Sequence, residues 1–542
     1  MRFKETMIFT TYRFSAHVMK KISSICFLAW FICFFLAWAP ASSYGTQKLN
    51  RTMYDESDII TPRPKPQPQI NGPLVYGCRP GHPFLYRIPC QGVRPVKFSV
   101  KGLPPELKLD ASTGIITGTT PPKGEYEVLI QAANSIGKDK RKLKILAGDQ
   151  LSLTPPMGWN SWYVHYVRID DSLMRAAAEA MITSGMADVG YQYVNIDECW
   201  SVAGKAHPLM TDSSRIGTVR SSDGNILPNV HFPDMKAMTD YIHAKGLKAG
   251  IYSSPGLISC CGLTGSWQHE EQDAAQFAAW GFDFLKYDWC YYSKILGKEP
   301  SLEDLQKPYI LMGNALKQQP RDIIFNLCQY GRGNVWEWGA KVGGHCWRTA
   351  GDLGFELDRF FTVAMNNAKV GTFSKPGAWN DPDYLLIGWI GSQKGETFTA
   401  PQPSPLTVQQ QYSYMSLWCL MAAPLIFSGD MSKLDEFTLN VLCNPEVIEI
   451  DQDPLGKCGS VIMKNDENFI MIKDLADGSK AVGLFNRGKS SAEVELDWAE
   501  LQLSGKQSVR DLWRQKELGT FKNKFSAQVP PDGVVMVKIS KH

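Results

Sequence analysis

The chain has 542 residues, with 57 Lys and Arg against 54 Asp and Glu, a formal net charge of +3. That balance argues against nucleic acid or an anionic membrane as the principal partner. A hydrophobic fraction of 44% and a charged fraction of 20% exclude a disordered, collagenous or coiled-coil chain and leave room for three or four domain-sized units, fewer if one is a large α/β barrel. Aromatic residues make up 11%, with 16 Trp, 20 Tyr and 25 Phe, enough to fill a large core or to line a site for something ring-shaped.

In chain order, the first feature is an apolar run from Ile25 to Trp38, preceded by Met19-Lys20-Lys21 and followed by small residues from Ala39 to Gly45. Basic, apolar and small regions in that order are the pattern of a secretory signal, which predicts removal of residues 1–45 and a secreted or periplasmic protein. An uncleaved anchor is the alternative, but the run is short for a full span. Cys26 and Cys33 would leave with the signal, so 11 of the 13 Cys remain. In an exported protein some of these pair, and an odd count leaves at least one thiol free. No cysteine or histidine grouping has metal-ligand spacing, so neither a metal nor a cofactor is expected.

Residues 46–70 are polar and carry Pro62, Pro64, Pro66 and Pro68, the composition of a spacer. Residues 71–147 read as an all-β domain of short strands between turn signals. Its segment Gly102 to Gly118 resembles the immunoglobulin-like modules of exported bacterial enzymes. A spacer or packing role is its first reading and carbohydrate binding its second. From 151 to 437 strands alternate with helices: Val194 to Asp197, Leu247 to Tyr252, Phe284 to Asp288 and Ile323 to Cys328 as strands, with helices from Phe232-Pro233-Asp234 to Gly246, His269 to Trp280, Leu302 to Lys317 and Thr407 to Met421. Repeated βα units over this length predict a (β/α)8 barrel, and no phosphate-binding glycine motif follows any strand. From about 440 the helical pattern is expected to cease, and residues 438–542 read as an antiparallel β-sandwich.

Barrel residues at the C-terminal ends of strands face the site. Here those ends carry Asp197-Glu198, Tyr252, Lys286 with Asp288, Cys328-Gln329, Arg348 with Asp352, and Asp381 with Asp383. A single acidic strand end is more often a helix cap; so many polar ends converging are not explained by capping alone. Several carboxylates with aromatics, one Lys and one Arg suit glycoside hydrolysis, which needs one ionised and one protonated carboxyl group. Lys286 and Asp288 point the same way on one strand, so the ammonium is expected to keep Asp288 ionised. Asp352, in a loop, is the candidate acid.

The motifs Pro156-Met157-Gly158-Trp159-Asn160-Ser161-Trp162, Ile196-Asp197-Glu198-Cys199-Trp200, Leu285-Lys286-Tyr287-Asp288-Trp289-Cys290, Trp347-Arg348 with Asp352, and Trp379-Asn380-Asp381-Pro382-Asp383 together resemble glycoside hydrolase family 27, which holds α-galactosidases and α-N-acetylgalactosaminidases. The resemblance implies a (β/α)8 barrel followed by an antiparallel β domain. It also implies a retaining exo-glycosidase that removes terminal α-D-galactosyl residues from galactose-containing oligosaccharides or polysaccharides. Asp288 falls on the family's nucleophile and Asp352 on its acid/base, with the two carboxyl groups about 5–5.5 Å apart for retention. Substrate-binding roles carry over to Trp162 as an aromatic wall, Asp197 at O4, Lys286 at O3 or O4, Arg348 at O2, and Tyr252 and Asp383 near the reacting centre, with Trp200 also at the pocket. Cys260 and Cys290 match a family disulfide, with Cys261 as a competing neighbour. Cys328 with Cys346 and Cys78 with Cys90 are further candidate pairs.

Two positions depart from the family's α-galactosidase pattern. Glu198 stands where an Asp is usual; its extra methylene would crowd C6 and favour β-L-arabinopyranosides, an activity known in the family, by only about 1–3 kcal/mol. Gln329-Tyr330 stands where Glu-Trp is common, giving up a charge on the O2 side. Lineage variation without functional effect accounts equally for both. A non-catalytic glycan-binding protein on the same scaffold is the rival reading; replacement of Asp288 or Asp352 would favour it, and both are present.

Overall fold

The computed structural model describes residues 54–297, 299–354, 356–394 and 397–542, with the side chains of 392–398 also left undescribed. The expected signal, residues 1–45, and the start of the expected spacer lie outside the described residues. Among the described residues no helix is long and apolar enough to cross a membrane.

Eight parallel strands form the centre: β1 (Met157–Asn160), β2 (Tyr193–Asn195), β3 (Lys248–Ser253), β4 (Phe284–Asp288), β5 (Ile324–Cys328), β6 (Cys346–Arg348), β7 (Trp379–Asp381) and β8 (Leu425–Phe427). They pair in the order β7-β6-β5-β4-β3-β2-β1-β8, and a parallel bridge from Leu385 to Phe427 joins the two ends, so the sheet closes as a (β/α)8 barrel. The strands are short and buried on both faces, as parallel strands covered by helices must be. The helices start where the sequence places caps. Asp234 accepts from Ala237 N at 2.9 Å to open Met235–Ala244, and Thr407 forms a capping box with Gln410 to open Val408–Met421. Gly281, at φ 98°, ends Glu270–Trp280 in the left-handed conformation that glycine adopts without cost.

The all-β module ahead of the barrel has two main sheets and a two-stranded pairing of Gln69–Ile70 with Cys90–Gln91. One main sheet is four-stranded (Val75–Cys78, Lys138–Ala147, Gly124–Ala133, Lys97–Lys101, in that order) and the other three-stranded (Pro83–Arg87, Ile115–Thr119, Leu107–Leu109), around Phe84, Phe98, Ile116, Ile130 and Ile145. It meets the barrel at the N-terminal ends of the strands. Arg79 Nε donates to Asp322 Oδ1 at 2.8 Å just before β5, and Lys248 Nζ at the start of β3 donates to Tyr76 Oη.

Three features differ from the sequence expectation. Residues 54–70 are no free spacer: the Tyr54 ring stacks on Phe437 at 5.3 Å, and Thr61, buried, donates its N–H to Asn440 Oδ1 at 2.9 Å. Helices do not cease at 440. Glu436–Leu442 and Pro445–Asp451 follow β8, and the sandwich strands begin only at Ser460. Asn444, between two apolar runs, caps the second of these helices by accepting from Val447 N at 3.1 Å. Finally, a hairpin, Trp389–Lys394 with Thr397–Pro403, interrupts the βα repeat after β7.

Candidate active site

The polar groups gather at the C-terminal ends of the barrel strands. Lys286 and Asp288 alternate into the same side of β4. Lys286 Nζ lies 2.8 Å from Asp197 Oδ2 and 4.0 Å from Asp288 Oδ2. Its charge is therefore directed first at Asp197, which also accepts from Asn160 Nδ2 at 2.9 Å and Tyr384 Oη at 3.3 Å. Burial lowers the Lys286 pKa, but Asp197 and its anionic neighbours more than offset this, and the ammonium is held above its ordinary range.

Asp288 is buried and accepts from two phenols, Tyr330 Oη at 2.6 Å on Oδ1 and Tyr252 Oη at 3.3 Å on Oδ2. Burial pushes its carboxyl up to about 6; Lys286 and the Tyr330 hydrogen bond pull it down, while Asp352 and Asp197 add to the rise. Lys286 thus acts in the expected direction, toward the ionised carboxylate, but burial is the larger influence on Asp288. On the opposite wall, Arg348 at the end of β6 bridges two carboxylates, Asp352 Oδ1 from Nη1 at 3.0 Å and Asp383 Oδ2 from Nη2 at 3.1 Å. The Asp352 side chain is 54% exposed whereas Asp383 is buried. Asp383 stands at φ 112°, a conformation costly for a residue with a Cβ. It is held there by Leu353 N–H donating to its Oδ2 at 2.6 Å and by its own N–H donating to Asp381 Oδ1 at 3.0 Å.

Glu198, beside Asp197, is also buried. Its Oε1 accepts from Cys261 N at 2.6 Å, and burial raises its carboxyl to about 7 against the relief from Ser259 and Cys261. Gln329 follows β5 and is 1% exposed, with neither Oε1 nor Nε2 hydrogen-bonded within the protein. Trp162 opens a short helix after β1, its N–H on Asn160 Oδ1 at 2.9 Å and its ring edge-on to Tyr166. Trp200 is not a wall residue: it is 2% exposed, packs edge-on against Phe277 and Trp280, and braces Tyr252 from behind by donating Nε1–H to its carbonyl at 2.8 Å.

The structure brings the expected residues together as two bonded groups, Asp197, Tyr252, Lys286 and Asp288 in one and Arg348, Asp352 and Asp383 in the other, which meet where the Arg348 guanidinium lies 5.9 Å from the ring of Tyr330, the phenol bonded to Asp288. Tyr330, Asn160 and Tyr384 join them without having been assigned a role from sequence. Asn160 lies within the first family motif, Tyr330 in the segment that departs from the family pattern, and Tyr384 directly after the last motif; that proximity was the available signal. Cys260 and Cys290 form a disulfide with Cα atoms 5.0 Å apart, and Cys261 stays a thiol. The other two candidate pairs do not form. The register sets Cys346 opposite Asn326, two residues before Cys328, and Cys78 and Cys90 lie in different sheets.

A family model described as Alpha galactosidase A matches residues 154–453, one described as Alpha galactosidase C-terminal beta sandwich domain matches 466–539, and an Ig domain model matches 73–146. "Alpha-galactosidase 2" of Arabidopsis thaliana is 35% identical over 402 residues, covering 73% of this chain and 92% of its own. "Alpha-galactosidase A" of Cellvibrio japonicus is 32% identical over 415 residues, 72% and 93% of the two chains. Among solved structures, a Bacteroides fragilis chain superposes with a TM-score of 0.79 at 35% identity, over 88% of this chain and 98% of that one. Alpha-galactosidase I from Mortierella vinacea gives 0.63 at 30%, over 72% and 98%. With the barrel, its polar strand ends and the terminal sandwich all accounted for, this chain belongs to glycoside hydrolase family 27, the α-galactosidase family.

Proposed function

We propose that the protein is an exported, retaining exo-glycosidase that releases terminal α-D-galactosyl residues by double displacement. The observation that carries the reading is the pair of unlike carboxyl groups: Asp288, buried and bonded by two phenols, and Asp352, more than half exposed on the Arg348 guanidinium. Asp288 attacks the anomeric carbon while Asp352 gives its proton to the departing glycosidic oxygen. Asp352, now ionised, then takes a proton from water as that water displaces Asp288 and frees the sugar. Tyr252 and Tyr330 hold the nucleophile's two oxygens and share its charge. Asp197 and Lys286 bind the hydroxyls at O3 and O4, Arg348 and the unspent amide of Gln329 address O2, Asp383 orients Arg348, and Trp162 lines the pocket. The basic, apolar and small order of residues 19–45 and the Cys260–Cys290 disulfide support export, since disulfides persist in oxidising compartments.

One observation favours a second sugar. The longer side chain of Glu198 places a buried carboxyl group beside Asp197, where C6 of galactose would lie, so β-L-arabinopyranosides are the second substrate. A panel of aryl glycosides tests both. Release from the α-galactoside supports the first reading, release from the β-L-arabinopyranoside alone supports the second, and release from neither overturns the proposal in favour of a glycan-binding protein.

A further inference from the structure

The net charge of +3 is the sum of unlike parts. Residues 71–147 carry twelve Lys and Arg against five Asp and Glu, whereas residues 148–542 carry 36 against 45. Much of the module's surplus lies on one face of its four-stranded sheet. Along Lys138–Ala147 the strand alternation turns Lys138, Lys140 and Lys142 outward, all exposed. Asp139 and Arg141 turn to the other side, where Asp139 accepts from Ile70 N at 2.7 Å and Arg141 donates to the Gly72 carbonyl at 2.8 Å. Lys97 and Lys101 are exposed on the outward face as well, with Phe98 between them in the core.

The register joins these lysines into two rows. Lys97 is opposite Ala133, which is opposite Lys138; Lys101 is opposite Leu129, which is opposite Lys142. Between the two rows the middle strand, Gly124–Ala133, offers Leu129, Gln131 and Ala133 to this face; Glu127 and Glu125 follow on the same face beyond the rows and pair with Lys142 at 3.6 Å and Lys144 at 3.2 Å. Two lysine rows therefore flank a strip that is uncharged over residues 129–133, about 10 Å apart across two strand spacings, with lysines about 7 Å apart along one row and about 13 Å apart along the other, where Ser99 separates Lys97 from Lys101. Among the described residues only Lys142 of these five is in an ion pair, with Glu127 Oε2 at 3.6 Å. Clustered like charges on a sheet oppose folding, so nothing in the module's own stability calls for them.

We infer that this face docks an acidic polysaccharide, laid along the strands with its carboxylate groups on the two lysine rows. The inference rests on the proposed galactosidase reading, which makes a glycan the molecule that the module encounters; charge complementarity supplies the sign. The module meets the barrel at the N-terminal ends of the strands, through Arg79 on Asp322, while the constellation of Asp288 and Asp352 lies at their C-terminal ends. A polymer held on the module therefore leaves the pocket open to galactosyl side chains.

The test uses the full-length protein and a variant carrying Lys97→Ser, Lys101→Ser, Lys138→Ser and Lys140→Ser, none of which touches the pocket. Binding to polygalacturonate is measured by affinity electrophoresis beside neutral galactomannan, duplex DNA and phosphatidylglycerol vesicles. Wild type binds polygalacturonate and weakens about tenfold or more as salt rises from roughly 50 to 200 mM. The variant loses at least tenfold in binding and keeps its kcat/KM on an aryl α-galactoside. Absence of polygalacturonate binding, equal binding by the variant, or tighter binding to DNA or vesicles overturns the inference. If the aryl α-galactoside is not cleaved while polygalacturonate binding depends on the lysines, the docking face stands and the galactosidase reading falls.

Discussion

Asp288 shows what the pocket demands of a single residue. Its burial lifts the carboxyl from the ordinary 3.8 to about 6, and a nucleophile must be ionised, so kcat/KM on an aryl α-galactoside should fall about tenfold per unit below pH 6. Tyr330→Phe removes a 2.6 Å hydrogen bond that favours the carboxylate, so this acid limb moves to higher pH; an unmoved limb with lower kcat would assign Tyr330 to substrate instead. Asp288→Asn should lower kcat by a factor on the order of 10⁴ or more. The same substitution reports on stability. Because the folded-state pKa lies above the unfolded one, Asp288 holds its proton more tightly in the folded state, and its contribution to stability declines as pH rises from about 4 to about 6. Asn carries no such charge, so the Tm of Asp288→Asn relative to wild type should rise between pH 4 and pH 7; a constant or falling difference would contradict the burial argument. Glu198→Asp should shift the galactoside-to-arabinopyranoside ratio by about tenfold or more toward galactose, and an unchanged ratio removes Glu198 as the selector.

At the scale of elements, the barrel was legible because helices and strands carried their own punctuation. Asp234, Gly281 and Thr407 mark boundaries that the structure reproduces within a residue or two. The strand ends were legible because alternation fixes which side chains face the site, Lys286 and Asp288 above all. The two short helices after Asp435 and the hairpin after β7 were not, because short elements carry too few residues to show a period. Hydrogen-bond partners were also hidden. The sequence places Lys286 beside Asp288, but only the fold shows that Asp197, 89 residues earlier, takes the closer contact. The long loop after β2 is pinned to the helix Glu270–Trp280 by Arg220, whose two terminal nitrogens reach Asp273 at 2.6 and 2.9 Å. Asp273 is fully buried, so Arg220→Ala strands its charge and should cost about 3–5 kcal/mol in denaturant unfolding; a loss under about 1 kcal/mol would show that water reaches the aspartate.

For the molecule as a whole, the near-neutral charge conceals a basic module joined to an acidic barrel and sandwich. The expected spacer instead closes against the helices that follow β8, through Tyr54 on Phe437 and Thr61 on Asn440, so the β module and the barrel are linked by packed chain. This architecture presents one polar cluster at the open end of the barrel and leaves the back of the barrel for the module. The proposed roles of Asp288 and Asp352 there, nucleophile and acid/base, require two displacements. Proton NMR of the first sugar released from an aryl α-galactoside tests them most directly. Retention predicts α-galactopyranose appearing first and mutarotating later; β-galactopyranose appearing first would mean a single displacement by water and would contradict the assignment of Asp288.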